Sequence, residues 1–225
     1  MTFPNDDDAK RPARFSARPP LLAKLVIAWA VAALHVASYH AVAAVSLRPE
    51  CDFMTGLDER IPFLPWTVWL YMPLWIVFFH VVVVSVQSWA TLLRGVAAVA
   101  LASALAYCVF LLFPSSYPRP ELFSDEGPTA RLLLLVWAVD RPNNTFPSLH
   151  VALPLLLALS CLQDNRRLGR WLVGLALLPS LATLTVKQHY VVDVIGGAAL
   201  ALIVFAIVFP AWRTRSEPAA LSRLP

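Results

Sequence analysis

A proline, a serine and a histidine stand together in FPSLHVALPLL, Phe146 to Leu156, at the head of an apolar run. A second histidine follows in VKQHYVVDVIGG, with an aspartate four residues after it. His189 and Asp193, at i and i+4 of a helix start, share one face. A carboxylate on an imidazole nitrogen fixes the tautomer and makes the other nitrogen a better nucleophile or base. Lys187 adds a positive charge two residues before His189. A lysine at a membrane boundary calls for an anion or for snorkelling, and a phosphate ester would supply the anion. In the first stretch Pro147 suits a helix's first turn, and Asn143, Asn144 and Thr145 are capping residues. A helix N-terminus presents free N–H groups and a positive dipole end to an anion. Ser148 can add a hydroxyl donor there. His150, one turn in, can then protonate a leaving oxygen as general acid. Two histidines in unlike environments can divide the nucleophile and acid roles.

Bringing residues so far apart in sequence to one place is the task of the surrounding elements. The 225 residues are 59% hydrophobic and 14% charged, with a mean hydropathy of +0.66. A soluble domain is nearer about half apolar and about a quarter charged. The apolar residues fall in long runs near the roughly 20 residues a helix needs to cross a bilayer. The fold class read from this is all-α: an integral membrane protein of six transmembrane helices. The expected spans are 21–47, 63–86, 96–113, 149–162, 171–186 and 191–209. The first run is too long for the core of a signal peptide, about 7–15 residues, and reads as an uncleaved span. Residues 1–20 read as a polar, proline-rich disordered tail, 21–212 as one membrane domain and 213–225 as a second tail. The loop from Pro114 to Pro147 contains an apolar patch, Leu132 to Ala138, expected to lie along the interface.

Orientation follows from the basic residues. With the N-terminus in the cytoplasm, twelve of the 18 lysines and arginines fall on the cytoplasmic side. The other six are Arg48, Arg60, Arg119, Arg131, Arg141 and Lys187. Most acids, including Asp52, Asp58 and Asp140, lie with these six. Both termini are then cytoplasmic, and a bacterial inner membrane is the expected location. Trp66, Trp89, Trp171 and Trp212 fit an aromatic belt. In this topology His150 and His189 each begin an inward span at the outer face, so a helical hairpin returns them to one level.

With these motifs in hand, the chain resembles the type 2 phosphatidic acid phosphatase superfamily. Its members include membrane lipid phosphatases and phosphotransferases, and they share an active site with vanadium haloperoxidases. Pro147, Ser148 and His150 match one family motif, and His189 with Asp193 matches the H-x3-D of another. The resemblance implies that His189 attacks phosphorus to form a phosphohistidine, that Asp193 supports it and that His150 protonates the leaving group. It implies Arg119, in Arg119-Pro120, Lys187 and Ser148 as phosphate-binding residues. Two family cations are missing: their positions hold Leu112 and Thr183, and Lys187 is the expected substitute. LDERIPFLPWTVWLYMPLW, Leu57 to Trp75, and the His-Tyr-x-x-Asp order are closer to the sphingomyelin and inositol phosphorylceramide synthase branch. The implied substrate is a lipid phosphate or a phospholipid.

Other readings remain. His35, His40, His80, His150 and His189 are candidate haem ligands in a redox protein, and the missing cations also suit a module that kept the fold without the chemistry. His35, His40 and His80 have no accompanying acid and read as interhelical hydrogen-bonding groups. The residues show no metal-ligand cluster, so no metal or other cofactor is expected. Cys51, Cys108 and Cys161 form no framework. The basic balance, with pI near 9.2, reflects loop charges, so no nucleic-acid partner is expected, only the bilayer and a lipid. Oligomeric state is not legible. Gly196-Gly197 reads as a close helix contact beside the site.

Overall fold

A computed structural model of the chain describes residues 18–45, 52–122 and 127–210. Both terminal tails beyond these bounds, together with Arg48, Cys51 and Trp212, lie outside the described residues. Among the described residues eight α-helices follow in order: α1 Leu21–Val45, α2 Gly56–Arg60, α3 Val68–Ser85, α4 Trp89–Leu112, α5 Gly127–Val139, α6 Leu149–Cys161, α7 Arg166–Thr185 and α8 Val191–Val208. A 3₁₀ turn, Pro65–Thr67, leads into α3. No strand occurs among the described residues; one isolated bridge joins Ser116 and Asn143.

Among the described residues five helices, α1, α3 with its 3₁₀ turn, α4, α7 and α8, are long and apolar enough to cross a membrane. The protein is therefore an all-helical integral membrane protein. The sixth expected span, α6, has only 13 residues. At 1.5 Å per residue it measures about 20 Å, short of the roughly 30 Å hydrocarbon thickness. Nine of its residues are buried, because α6 is the centre of the bundle, flanked by α4, α7, α8 and α3. A helix sheathed by protein need not match the bilayer.

Expected and observed boundaries differ where charge obscured a helix start. α4 begins at Trp89 rather than 96, and α7 at Arg166 rather than 171. Ser88 caps α4 by accepting from the Thr91 N–H at 3.1 Å, and Asn165 caps α7 by accepting from Leu168 at 3.0 Å. Between these starts Asp164 fastens the two loops: it accepts the N–H groups of Gln87 and Ser88 and the hydroxyls of Ser88 and Thr91. The apolar patch 132–138 belongs to α5, which buries Leu133 and Val136.

Small residues set the spacing at the core. Ala98, Ala102 and Ala106 line one face of α4 against Leu149, Ala152, Leu153 and Leu156 of α6. Side chains this small let helix backbones approach closely, the main source of attraction between helices in lipid. By contrast α1 buries only Lys24, Ala28 and Ala43. Polar ties hold it instead. Lys24 donates to the Val84 carbonyl at 3.0 Å. His35 Nδ1 lies 3.0 Å from Ser103 Oγ and 3.1 Å from the Tyr107 hydroxyl. His80 is bonded to the Ile76 carbonyl one turn back, at 2.8 Å. Thus His35 makes the interhelical hydrogen bonds expected of it, whereas the bond of His80 stays within its own helix.

Candidate active site

α7 ends where it must for His189 to turn inward. The N–H of Lys187 donates to Leu184 and that of Gln188 to Thr183, at 3.3 and 3.0 Å. These two bonds satisfy carbonyls left open by the last helical turn. The pattern requires a left-handed residue after the cap, and Lys187 supplies it with φ 57°. Glycine is the usual occupant because it has no Cβ. The Lys187 ammonium reaches across to the carbonyls of Asp58 and Ile61, at 2.9 and 2.6 Å. Burial lowers its pKa, with Asp58 opposing.

α8 then starts at Val191, and two carboxylates organise its first turn. Asp193 accepts the Tyr190 N–H at 2.8 Å, and His189 Nδ1 donates to the same oxygen at 3.3 Å. Asp58 accepts the Val191 N–H at 2.7 Å. Asp58 is itself held by Thr55 in a capping box at the start of α2. Asp193 is fully buried, and its Oδ1 has no hydrogen-bond partner.

α6 meets α8 at this same level. The Ser148 N–H donates to the Asp193 carbonyl at 3.1 Å. A Cβ on Gly197 would lie 2.4 Å from the Ser148 carbonyl oxygen, and one on Gly196 would lie 2.4 Å from the Phe146 ring. The two glycines thus make the close contact expected of them. The result is that the His150 and His189 rings stand with centroids 5.7 Å apart. Both line a cavity of about 190 Å³, whose polar wall also includes Asp140, Arg141, Asn143 and Gln188.

The PAP2 superfamily model matches residues 39–207, which take in both histidines and every helix that places them. The chain belongs to the PAP2 superfamily. An uncharacterized protein of Methanocaldococcus jannaschii is 36% identical over 69 residues, covering 31% of this chain and 28% of that protein. The chain therefore matches well under half the length of that relative. No solved structure matches. The PAP2 superfamily comprises phosphatases and phosphotransferases that act on phosphate esters, lipid phosphates among them.

Within this candidate site the expected residues separate into two groups. His150, His189 and Asp193 come together, with Asp193 behind His189 and away from the cavity. Ser148 is adjacent and fully buried, and its hydroxyl has no hydrogen-bond partner. Lys187 and Arg119, expected on phosphate, are not on the cavity wall. The Arg119 guanidinium donates instead to the Trp137 carbonyl at 2.7 Å and to the Asp140 carbonyl, the open C-terminal end of α5. The family's two other cation positions add no charge to the cavity wall either. Leu112 is 72% exposed at the end of α4, and Thr183 is completely buried, its hydroxyl on Ser180 and its carbonyl on Gln188.

Four residues at or beside the cavity were not among the expected site residues. Arg141, counted in the sequence only among the outer-side cations, is on the wall. So is Gln188, whose side-chain nitrogen is buried without a partner. Tyr71 of α3 places its hydroxyl 3.0 Å from His150 Nε2 and 3.2 Å from Nδ1. Asp140 accepts from Tyr71 at 3.0 Å and from Tyr39 at 2.8 Å. The Thr55–Asp58 capping box, by contrast, has a local signal, Thr55-x-x-Asp58. The others depend on tertiary approach.

Proposed function

We propose that this PAP2 protein transfers the phosphoryl group of a lipid phosphate ester through a phosphohistidine on His189. The observation that carries the reading is the pair of imidazoles 5.7 Å apart on one cavity wall, only one of them backed directly by a carboxylate. With Nδ1 of His189 donating to Asp193, Nε2 keeps its lone pair and attacks phosphorus. The P–N bond forms as the P–O bond to the leaving group breaks, and His150 gives its proton to the departing oxygen. In the second half an acceptor oxygen attacks phosphorus, the P–N bond breaks and His150 takes the acceptor's proton. The acceptor is water in a phosphatase and a lipid hydroxyl in a transferase. If the donor is a phospholipid, the same steps move its headgroup phosphate, as in the sphingomyelin and inositol phosphorylceramide synthases that Leu57 to Trp75 resembles.

Arg141 and the Gln188 amide are the wall groups suited to the phosphate oxygens, a cation and a neutral donor where the family has further cations. A lipid tail has its own place. A second cavity of about 270 Å³, lined mostly by apolar side chains, shares His35, Val36, Trp75 and Leu153 with the first. The phosphate would sit at the histidines and a hydrocarbon chain would run on between α1, α3 and α4.

The test is turnover of a panel of lipid phosphates and phospholipids by purified protein in bilayers, with and without diacylglycerol or ceramide, following free phosphate and new lipids. His189→Ala should abolish whatever wild type does. Free phosphate marks a phosphatase; a new headgroup-bearing lipid without it marks a transferase. Turnover that survives His189→Ala removes the reading.

A further inference from the structure

His35 precedes the residues that the family model matches, and only one of its two ring nitrogens is used in holding the bundle together. Nδ1 ties α1 to α4, through Ser103 Oγ at 3.0 Å and the Tyr107 hydroxyl at 3.1 Å. Nε2 has no hydrogen-bond partner among the described residues, yet it is not one of the buried polar atoms left without one. It is therefore open to the space that His35 lines, which is the junction of the two cavities. We propose that His35 is a specificity residue whose Nε2–H donates to the carbonyl oxygen of an ester- or amide-linked lipid bound at this junction. This rests on the reading of the two cavities as phosphate and tail sites, and it adds which class of lipid fits them.

The tautomer follows from the neighbours of Nδ1. Ser103 is 6% exposed, so its hydroxyl proton needs an acceptor within the protein. Its oxygen faces His35 Nδ1. The Tyr107 hydroxyl donates to the His35 carbonyl at 3.1 Å, as Ser38 does at 2.9 Å. With Nδ1 accepting from Ser103, the proton of the neutral imidazole is on Nε2. Tyr107 lies nearly parallel to the ring, at 17°, and helps to fix its plane. The result is a directed N–H donor at the edge of a mostly apolar cavity, with no protein oxygen to receive it.

The depth of the junction suits a carbonyl. Leu153 also lines both cavities and follows His150 by three residues of α6, a rise of about 4.5 Å. A phosphate at the imidazole pair thus leaves the next few atoms of the lipid beside His35. In a glycerolipid or a ceramide phosphate those atoms carry an acyl carbonyl. In a prenyl phosphate they are bare hydrocarbon, which displaces water from the N–H and gives it no acceptor. Leaving a desolvated donor unpaired counts against binding, so His35 favours the carbonyl-bearing class.

Two measurements on the full chain test this, in an alkyl maltoside detergent that itself carries no carbonyl. Both compare dioleoyl phosphatidate with its dialkyl ether analogue, which keeps the phosphate and both chains and lacks the carbonyl oxygens. The first needs no turnover: ¹⁵N-histidine spectra, with the His35 signals assigned by their loss in His35→Leu. A neutral ring protonated at Nε2 is expected, and its signal should shift with phosphatidate and much less with the ether lipid. A ring protonated at Nδ1, or equal responses to the two lipids, overturns the proposal. The second is turnover. Wild type should favour phosphatidate over the ether lipid about 3- to 10-fold in kcat/KM, the scale of one neutral hydrogen bond. His35→Leu should bring that ratio near one, and His35→Gln, which keeps an N–H donor, should restore part of it. Equal rates on the two lipids in wild type, or an unchanged ratio in His35→Leu, would reduce His35 to an interhelical tie. Turnover independent of His189 would instead defeat the phosphohistidine reading, while the spectra still decide the carbonyl contact.

Discussion

The Asp58 carboxylate accepts the backbone N–H of Val191 at 2.7 Å, across 133 residues of chain. It caps a helix to which it is not connected, and the residue two before that helix is His189. Its other oxygen accepts the N–H and hydroxyl of Thr55. Asp58→Ala removes the charged acceptor of the Val191 N–H, a bond worth about 1.5–3 kcal/mol, while the exposed Thr55 can turn to water. We expect a clear fall in thermal stability in detergent, with activity lost alongside. Asp58→Asn, which keeps one accepting oxygen, should lose less on both counts.

Gly197 and Gly174 make opposite forecasts. A methyl group at Gly197 meets the Ser148 carbonyl at 2.4 Å and Val151 Cβ at 3.1 Å. Gly197→Ala must push α8 from α6 and separate the two histidines. We expect loss of turnover. At Gly174, inside α7, nothing lies within 4 Å of the new carbon. Gly174→Ala should be stabilising by about 0.5–1 kcal/mol, the helix preference for alanine. Unfolding midpoints and turnover of the two variants side by side check both.

Lys187 is expected to matter for stability before affinity. Its ammonium is bonded to the carbonyls of Asp58 and Ile61 and stays off the cavity wall. Lys187→Met should lower the unfolding midpoint and leave KM near wild type. Arg141→Ala should do the reverse, raising KM with little effect on stability. A phosphate role for Lys187 would invert the two results, and KM measured with the assay above decides between them.

Alkaline stability should depend on two phenols outside the spans. Burial, with Asp58, Asp193 and Asp52 nearby, pushes Tyr117 up to about 12 from 10.0. Burial and the hydrogen bond to Asp52 raise Tyr190 further. As pH rises past 10 the unfolded chain releases these protons while the folded chain keeps them. The unfolded state then binds fewer protons, so stability falls. Lys187, with its pKa lowered, acts in the opposite sense below 10.5. Between pH 10 and 12 wild type should lose more stability than Tyr117→Phe, read from denaturant midpoints.

The helices and the two histidines were legible because their signals are local. Apolar runs announce spans, and Pro147-Ser148 announces a helix start beside His150. The surroundings of His150 were less legible: Tyr71 and Arg119 lie in stretches that resemble the family, but Asp140, which accepts from Tyr71, has no motif about it, and their meeting depends on tertiary approach. Arg119 and Lys187 show the limit most clearly. Sequence places both cations near the motifs, but the direction of a long side chain is decided by which carbonyls a helix end leaves open. Arg119 goes to those of α5 and Lys187 to those around α2. Arg141, with no motif about it, takes the cavity wall. The starts of α4 and α7 were missed for a related reason: Ser88 and Asn165 cap helices that begin outside the hydrocarbon, where hydropathy no longer reports them.

The apolar cavity is not sealed on its flank. Trp29 and Val36 of α1 and Ile76 of α3, which help line it, are each about half exposed on the outer surface of the bundle. A reactant that slips in sideways never leaves the membrane plane, so it searches for the enzyme in two dimensions. Its effective concentration is a mole fraction among neighbouring lipids, with the volume of surrounding water irrelevant. Diluting the substrate with inert phospholipid at constant total amount should then slow the reaction, while diluting the whole vesicle suspension should not.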